Sequence, residues 1–309
     1  MLDDPSGREW VELSGMNASL VSQLRPVLVS LWGAKGESGQ LAGSGFLIAF
    51  SPGLGVVLTA KHVLDMVADI QQPRKRHAPS ALAEFLPATR SQPNVGGGNL
   101  TALWATDQYM LPLEVPFVSY NAVSDLAACL VVSNTEEATR FVAPSVPLET
   151  IPVRVGDIVH MASWNSMRQT PTSVGEGAGY EVYREMSVRR GTVTGIYPQG
   201  FRQYRWPCFT TSIPVEPGMS GGLVYLPRDG GPIGACGVIC ADNSAGEARR
   251  DQFVAGESVI GMSWMALGLQ LPVTMSNDSP MRSIQQMMKD GDIPPAVGGS
   301  DQFSFVSSS

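Results

Sequence analysis

The stretch VEPGMSGGLVY at 215–225 surrounds one serine, Ser220, with glycines and then runs into a short apolar segment. Acyl transfer needs a nucleophilic oxygen, a base that takes its proton, and hydrogen-bond donors for the oxyanion. This stretch could supply the oxygen and the donors, because glycine at 218 allows the backbone amides of Gly218 and Ser220 to converge. The alternative interpretation is a glycine-rich hairpin that contains an incidental serine.

A base for Ser220 should be one of the three histidines of the chain. His77 lies in the basic cluster RKRH at 74–77, which we interpret as a solvated loop. His160 lies inside the strand pattern DIVHMAS, where a structural role is expected. His62 directly follows the apolar stretch VVLTA, so its imidazole would project from a rigid strand end into a cleft. We therefore predict His62 as the base.

The imidazole needs a fixed carboxylate to orient it, and Asp125 opens the apolar stretch DLAACLVV. A carboxylate at the start of a buried strand is desolvated and held in place, and Ser124 or the backbone could bind its second oxygen. The structural alternative for Asp125 is a turn residue that initiates a strand. His62 and Asp125 belong to one group of predicted strands and Ser220 to another, so a cleft between the two groups would assemble all three.

The elements that position these residues are predicted to be strands. The chain has 309 residues, of which 43% are hydrophobic, 33 are glycine and 23 are proline, which is typical of a globular β-protein with many turns. Short apolar stretches fall into two groups of about six, so we predict an all-β fold of two antiparallel six-stranded β-barrels with a C-terminal helix. The expected organisation is an N-terminal extension at 1–25, a first barrel at 26–140, a linker at 141–152, a second barrel at 153–265, and a C-terminal helix with a flexible tail at 266–309.

The C-terminal helix is predicted within SPMRSIQQMMKDG, with Ser279 as N-cap and Gly291 as the stop. Its apolar face would consist of Met281, Ile284, Met287 and Met288. Three further segments, at 70–100, 164–182 and 242–252, interrupt the strand pattern and are predicted to be long loops. They are either regulatory elements or simple surface insertions.

Three blocks of the sequence resemble the signature blocks of trypsin-like serine proteases of the chymotrypsin fold: GSGFLIAFSPGLGVVLTAKHVLD, SDLAACLVV and EPGMSGGLVYLPRDGGPIGACGVI. The resemblance is greatest to the bacterial, HtrA-like branch and spans roughly residues 26–265. It implies that Ser220 is the nucleophile, His62 the general base and Asp125 its orienting partner. The amides of Gly218 and Ser220 would form the oxyanion hole. The residues after 262 are too few for the PDZ module that many HtrA-like proteins carry, so we expect none.

Two features depart from the secreted digestive relatives. Met219 stands where they carry the aspartate that captures a freshly cut N-terminus, so activation by that ion pair is not expected. The substrate-binding residues are predicted to be Glu216 on one side and Ile239, Cys240 and Ala241 on the other. This wall is small and mostly apolar, so we expect a small or medium apolar P1 residue rather than arginine or lysine.

Composition excludes several other roles. The formal net charge of −7 argues against nucleic-acid binding, which needs an excess of basic residues. The N-terminus MLDDPSGREW lacks the features of a secretory signal, and no apolar run is long enough to span a membrane, so a cytoplasmic protein is expected. No cofactor or metal is expected. Cys129 is interpreted as a core residue; Cys208, Cys236 and Cys240 are expected to be reduced, although a disulfide of Cys208 with either of the others stays open.

These observations predict a regulated serine endopeptidase that acts on protein or peptide substrates in a bacterial stress or defence context. Because an unregulated intracellular protease would be toxic, control by a regulatory protein partner or by a loop is expected. The alternative is a catalytically silent protease-fold module that only binds, against which stands the complete set of triad residues. An α/β-hydrolase esterase would carry its triad in the opposite chain order.

Overall fold

The computed structural model describes residues 10–303 except 36–37, 52, 72–88, 94–99, 106–109, 122–123, 134–142, 175–176, 203, 229–232, 241–257 and 275–278. The described part of the chain is mostly β-strand, with a few short helices. The strands form two large sheets, and each sheet closes on itself. This confirms the predicted fold of two six-stranded antiparallel β-barrels with a helix near the C-terminus.

The first barrel contains β2 to β8, of which six close the barrel in the order β7-β6-β2-β3-β4-β8 with β8 paired back to β7, while β5 adds to the outer side of β7. Their bounds are β2 Leu28–Lys35, β3 Ser38–Ser51, β4 Leu54–Ala60, β5 Thr89–Pro93, β6 Leu100–Ala105, β7 Met110–Asn121 and β8 Leu126–Val132. Strand β5 lies inside the segment 70–100 that we expected to be a loop, so that expectation is wrong for this part. The remaining residues of the segment, apart from its first two and Leu100, lie outside the described residues.

The second barrel closes in the order β10-β11-β14-β13-β12-β9 with β9 paired to β10, and the short N-terminal strand β1 adds to β10. Its strands are β1 Val11–Glu12, β9 Ile158–Val174, β10 Gly177–Tyr197, β11 Cys208–Thr211, β12 Leu223–Tyr225, β13 Ala235–Ile239 and β14 Ser258–Met262. Barrel closure pairs the outer strands with each other, which leaves few open sheet edges.

The two strands that present His62 and Asp125 are almost completely buried. Every residue of β4 except Leu54 is buried, as is every residue of β8 except Val132. Apolar runs of this kind are expected where both strand faces are covered. The larger of two main apolar clusters extends from the first barrel across the barrel interface to the C-terminal helix, and the smaller one fills the second barrel. The site-bearing strand ends are therefore rigidly packed.

The segment 164–182, which we expected to be a long loop, is instead the outer part of the β9–β10 hairpin. The two strands pair from Gly177 opposite Val174 to Thr192 opposite Ile158. The hairpin contacts the first barrel through Arg184, whose guanidinium bonds to Ser30 and to the carbonyl of Leu103. Backbone pairing, which residue types alone do not reveal, makes this polar segment regular.

The helices differ in part from expectation. Helix α1 comprises Ala18–Leu24 and α2 comprises Lys61–Gln71. Helix α3 comprises Ile284–Asp290 and ends, as predicted, at Gly291, whose φ is +85°. Its N-cap is Ser283, which accepts a bond from the amide of Gln286, so the prediction of Ser279 was wrong.

The reason for this shift is long-range strand pairing. Met281–Ser283 forms β16, which pairs with β15, Gln270–Pro272, and this pairing delays the helix by one turn. Met281 is consequently exposed and off the helix, whereas Ile284, Met287 and Met288 are buried as predicted. Beyond α3, the described residues 291–303 pack against the body through Phe303, which stacks on Trp264 with ring centroids 5.1 Å apart. The last residues of the expected flexible tail, 304–309, lie outside the described residues.

Candidate active site

Strand pairing brings His62 and Asp125 together although they are far apart in the chain. Strands β4 and β8 pair antiparallel, with Ala60 opposite Leu126 at the end of the ladder. His62 is the second residue of α2, which begins directly after β4, and Asp125 immediately precedes β8. The same end of one ladder therefore presents both side chains.

The carboxylate of Asp125 holds His62 through two hydrogen bonds. One oxygen lies 2.8 Å from the imidazole Nδ1, and the other accepts the backbone amide of His62 at 2.9 Å. The side chains of His62 and Asp125 are only 18% and 12% exposed. Because an ionised carboxylate can only accept, Nδ1 carries the proton and Nε2 is left as the basic nitrogen.

Asp125 itself is fixed by its backbone. Its φ of +51° is left-handed, a conformation that aspartate tolerates better than most residues. Its carbonyl accepts the amide of Lys61 at 2.8 Å, and the Cys240 thiol lies 3.8 Å from the same oxygen. The second oxygen of the Asp125 carboxylate is therefore held by a backbone amide, that of His62, and not by Ser124. The Ser124 hydroxyl is buried and has no hydrogen-bond partner among the described residues.

The nucleophile turn, residues 216–222, is a tight hydrogen-bonded loop. Gly218 has a φ of +95° and Gly221 one of +84°, so both positions need glycine. The amide of Met219 donates to the carbonyl of Glu216 at 3.1 Å, and the amide of Gly222 donates to the carbonyl of Met219 at 2.9 Å. Since a trans peptide points its N–H away from its C=O, the Ser220 amide faces away from Gly222. The orientation of one predicted oxyanion-hole donor is thereby set.

Ser220 lies against Gly43 of β3, close to the start of α2. A Cβ added to Gly43 would lie 2.9 Å from the carbonyl oxygen of Ser220 and 2.7 Å from a methyl of Val63, the neighbour of His62. Glycine at 43 therefore allows the nucleophile turn and the start of α2 to approach the same point of β3 from two sides. The structure thus brings the Ser220 turn next to the His62–Asp125 pair.

Ser44 links the nucleophile turn to both barrels. Its amide donates to the carbonyl of Ser220 at 2.8 Å, and its hydroxyl donates to the carbonyl of Gly218 at 2.8 Å. The same hydroxyl accepts the amide of Trp164 at 2.9 Å, and the carbonyl of Ser44 accepts the hydroxyl of Thr59 at 2.7 Å. We did not assign this role from the sequence, where a serine between two glycines in a strand was the only signal.

Met219 is buried in the apolar cluster of the second barrel. Its sulfur lies 3.3 Å from the backbone nitrogen of Glu216, which donates to it. Packing of this side chain thus holds the turn at the position where the digestive relatives use an ion pair.

The predicted substrate-binding residues occupy different surroundings. Ile239 and Cys240 are fully buried, and backbone bonds of Ile239 to Gly221 and Gly222 support the nucleophile turn from behind. Glu216 is half exposed, and one of its oxygens lies 2.5 Å from Arg189. Ala241 lies outside the described residues, as does the predicted loop 242–252. Contact of these four predicted residues, Glu216, Ile239, Cys240 and Ala241, with substrate stays a prediction.

All four cysteines are buried and free of disulfides. Burial, together with the nearby Asp125 carboxylate, raises the pKa of the Cys240 thiol well above its usual value. Burial also raises the pKa of Cys208 to about 11 and that of Cys129 to about 12. These thiols therefore stay protonated at neutral pH and are poor nucleophiles.

The comparison with known families matches residues 43–234, more than half of the chain, to the trypsin-like peptidase domain. The chain belongs to the trypsin-like peptidase family. The matched range contains the His62–Asp125 pair and the whole nucleophile turn.

Solved structures similar to this peptidase include the Rv3671c protease of M. tuberculosis in its inactive form, with 17% identity, coverage of 81% of this chain and 90% of that chain, and a TM-score of 0.44. The HtrA-type protease AlgW with a decapeptide is 15% identical, with coverage of 81% and 65% and a TM-score of 0.43. The thermostable serine protease AL20 from an extremophilic microorganism is 11% identical, with coverage of 77% and 92% and a TM-score of 0.39. These overall likenesses are low and carry no weight for the function. No protein of curated function matches the sequence.

Among its described residues, the peptidase has no helix that is long and apolar enough to cross a membrane.

Proposed function

We propose that the protein is a serine endopeptidase that cleaves peptide bonds through an acyl-enzyme on Ser220. The observation that carries the proposal is the 2.8 Å contact between His62 Nδ1 and the Asp125 carboxylate, at a strand end that adjoins the Ser220 turn. Family membership supplies the reaction class, hydrolysis of peptides or proteins.

In the proposed reaction, the Ser220 hydroxyl attacks the substrate carbonyl while its proton moves to His62 Nε2. Asp125 stabilises the imidazolium and keeps it in the productive orientation. The amides of Gly218 and Ser220 receive the negative charge on the carbonyl oxygen, a contribution of about 3 kcal/mol per donor to lowering the barrier. His62 then gives its proton to the leaving amine as the C–N bond breaks. Water, activated by the same base, hydrolyses the ester.

Substrate preference is part of the proposal. Apart from Glu216, whose carboxylate is paired with Arg189, the predicted pocket residues are apolar or neutral, which supports a small or medium apolar P1 residue. The proposal includes control of the enzyme by a partner protein in a bacterial stress or defence context, because an unregulated protease inside a cell would be toxic.

Profiling with a peptide library tests the activity and the preference together, with Ser220→Ala as the control. The proposal expects cleavage after small or medium apolar residues that disappears in the variant. Cleavage chiefly after arginine or lysine would contradict the pocket assignment, and cleavage that persists in Ser220→Ala would contradict the nucleophile. Binding of peptides without cleavage would favour the alternative, a silent binding module.

A further inference from the structure

One buried arginine connects the N-terminal segment to the nucleophile turn. The side chain of Arg189 is 5% exposed, and each of its three nitrogens contacts a different partner. Nε lies 3.0 Å from the Glu12 carboxylate, Nη1 donates to the carbonyl of Pro214 at 2.8 Å, and Nη2 lies 2.5 Å from the Glu216 carboxylate. An arginine that satisfies its donors in this way fixes the relative position of all its partners.

The first partner belongs to residues 10–14, which we call the N-terminal strap. Within the strap, β1 pairs with Arg189 and Arg190 of β10, and the amide of Leu13 donates to the carbonyl of Val188 at 2.6 Å. The Trp10 ring lies 4.9 Å from the Arg189 guanidinium. The N-terminal strap thus covers the arginine and shields it from water.

Glu12 supplies the carboxylate of the strap, and four residues bond to it. It accepts bonds from the Ser14 hydroxyl at 2.6 Å, the Ser187 hydroxyl at 2.8 Å, the Val188 amide at 3.0 Å and Nε of Arg189. Burial alone would raise the pKa of Glu12, but these hydrogen bonds outweigh it and lower the pKa. Glu12 is therefore ionised at neutral pH and stands as a fixed counter-charge to Arg189.

The second group of partners leads directly into the nucleophile turn. Pro214 and Glu216 precede Gly218, and the Glu216 backbone is bonded to Met219 in both directions. A shift of the 214–216 segment would therefore move Gly218 and Met219 and rotate the amides proposed to bind the oxyanion. Oxyanion stabilisation depends steeply on donor geometry.

We propose that the N-terminal strap orders the nucleophile turn through Arg189, so that Glu12 and Arg189 are positioning residues for catalysis. This inference rests on the proposed endopeptidase function. It makes activity depend on a segment that lies outside the six strands that close the second barrel, so displacement of the strap would switch off a folded enzyme. A structural role alone would predict a loss of stability without a loss of turnover by the folded molecules.

The test compares Glu12→Gln and Arg189→Met with the wild type in three measurements: kcat and KM on a peptide substrate, the rate of labelling by a fluorophosphonate, and the melting temperature. The control is Glu149→Gln, because Glu149 is a buried carboxylate paired with an arginine, Arg228, away from the nucleophile turn. We expect Glu12→Gln and Arg189→Met to lower kcat and the labelling rate about 100-fold with little change in KM, and the control to lower only the melting temperature.

Labelling and kcat that stay within about twofold of wild type in folded Glu12→Gln would overturn the inference, as would an equal loss in the control. If Arg189→Met does not fold, Glu12→Gln decides the matter, because it keeps the size of the side chain and removes only the charge. A wild-type protein that neither cleaves nor labels would instead contradict the proposed function.

Discussion

The backbone amide of Ser44 donates a 2.8 Å hydrogen bond to the carbonyl of Ser220. Ser44 belongs to the first barrel and Ser220 to the nucleophile turn of the second, so this bond joins the two barrels at the site itself. The Ser44 hydroxyl adds bonds to Gly218 and Trp164. The position of the proposed nucleophile is thus set by both barrels together.

Removing the Ser44 hydroxyl should disturb this arrangement. We expect Ser44→Ala to lower kcat about 10-fold or more with a smaller effect on KM, because the partly buried carbonyl of Gly218 and the buried amide of Trp164 lose their partner at a cost of about 1–3 kcal/mol. Steady-state kinetics on a peptide substrate measure this. Ser119→Ala is the matched control, since Ser119 is equally buried but bonds to Gln270 instead. Equal kinetics for the two variants would refute the role of Ser44.

Asp125→Asn should keep the fold and lose the reaction. An amide could present its N–H to Nδ1 and so favour the wrong imidazole tautomer, which reduces kcat by about 10⁴-fold in enzymes with this triad. The control is Asp65→Asn in α2, the helix that carries His62. The Asp65 carboxylate pairs with Lys61 and is mostly exposed. Kinetics at neutral pH distinguish them, and a normal kcat for Asp125→Asn would show that His62 is oriented by something else.

The Met219 side chain should contribute strongly to stability. Met219→Ala leaves a cavity in the second barrel and should lower the free energy of unfolding by about 2–5 kcal/mol. Met219→Leu fills the space and should cost less than about 1.5 kcal/mol, although it also loses the sulfur contact with Glu216. Urea unfolding measures both. A similar loss in the two variants would mean that the sulfur contact, and not packing, holds the turn.

His160 should make the fold sensitive to mild acid. Burial, with the nearby Arg190 charge, lowers its pKa from 6.5 to about 4, and Nδ1 lies 3.0 Å from the Tyr225 hydroxyl. Between these two pH values His160 is protonated in the unfolded chain but neutral in the folded protein. The free energy of unfolding therefore has its full value above pH 6.5 and decreases towards pH 4. Urea midpoints at pH 7 and pH 5 should differ less in His160→Gln than in wild type. An unchanged difference would assign the acid sensitivity to other groups.

The central parts of the strands and the pairing of His62 with Asp125 could be predicted from the sequence, because short apolar stretches mark where the strands begin and end. The stretch LGVVLTA is β4 to the residue, and an apolar strand that ends before a histidine or begins after an aspartate fixes where each side chain emerges. The outer part of the β9–β10 hairpin could not be predicted, because its residues are polar and only backbone pairing between the two strands makes it regular. The N-cap at Ser283 and the Glu12–Arg189–Glu216 contacts likewise depend on partners distant in the chain, which no local pattern specifies.

The most direct test of the account is the intact mass of the protein after reaction with a fluorophosphonate at neutral pH, followed by peptide mapping. We predict the addition of one label, located on Ser220, which is absent in His62→Ala and in Ser220→Ala. Labelling of Ser220 that proceeds at the same rate without His62, or a label on a different residue, would contradict the proposed catalytic triad.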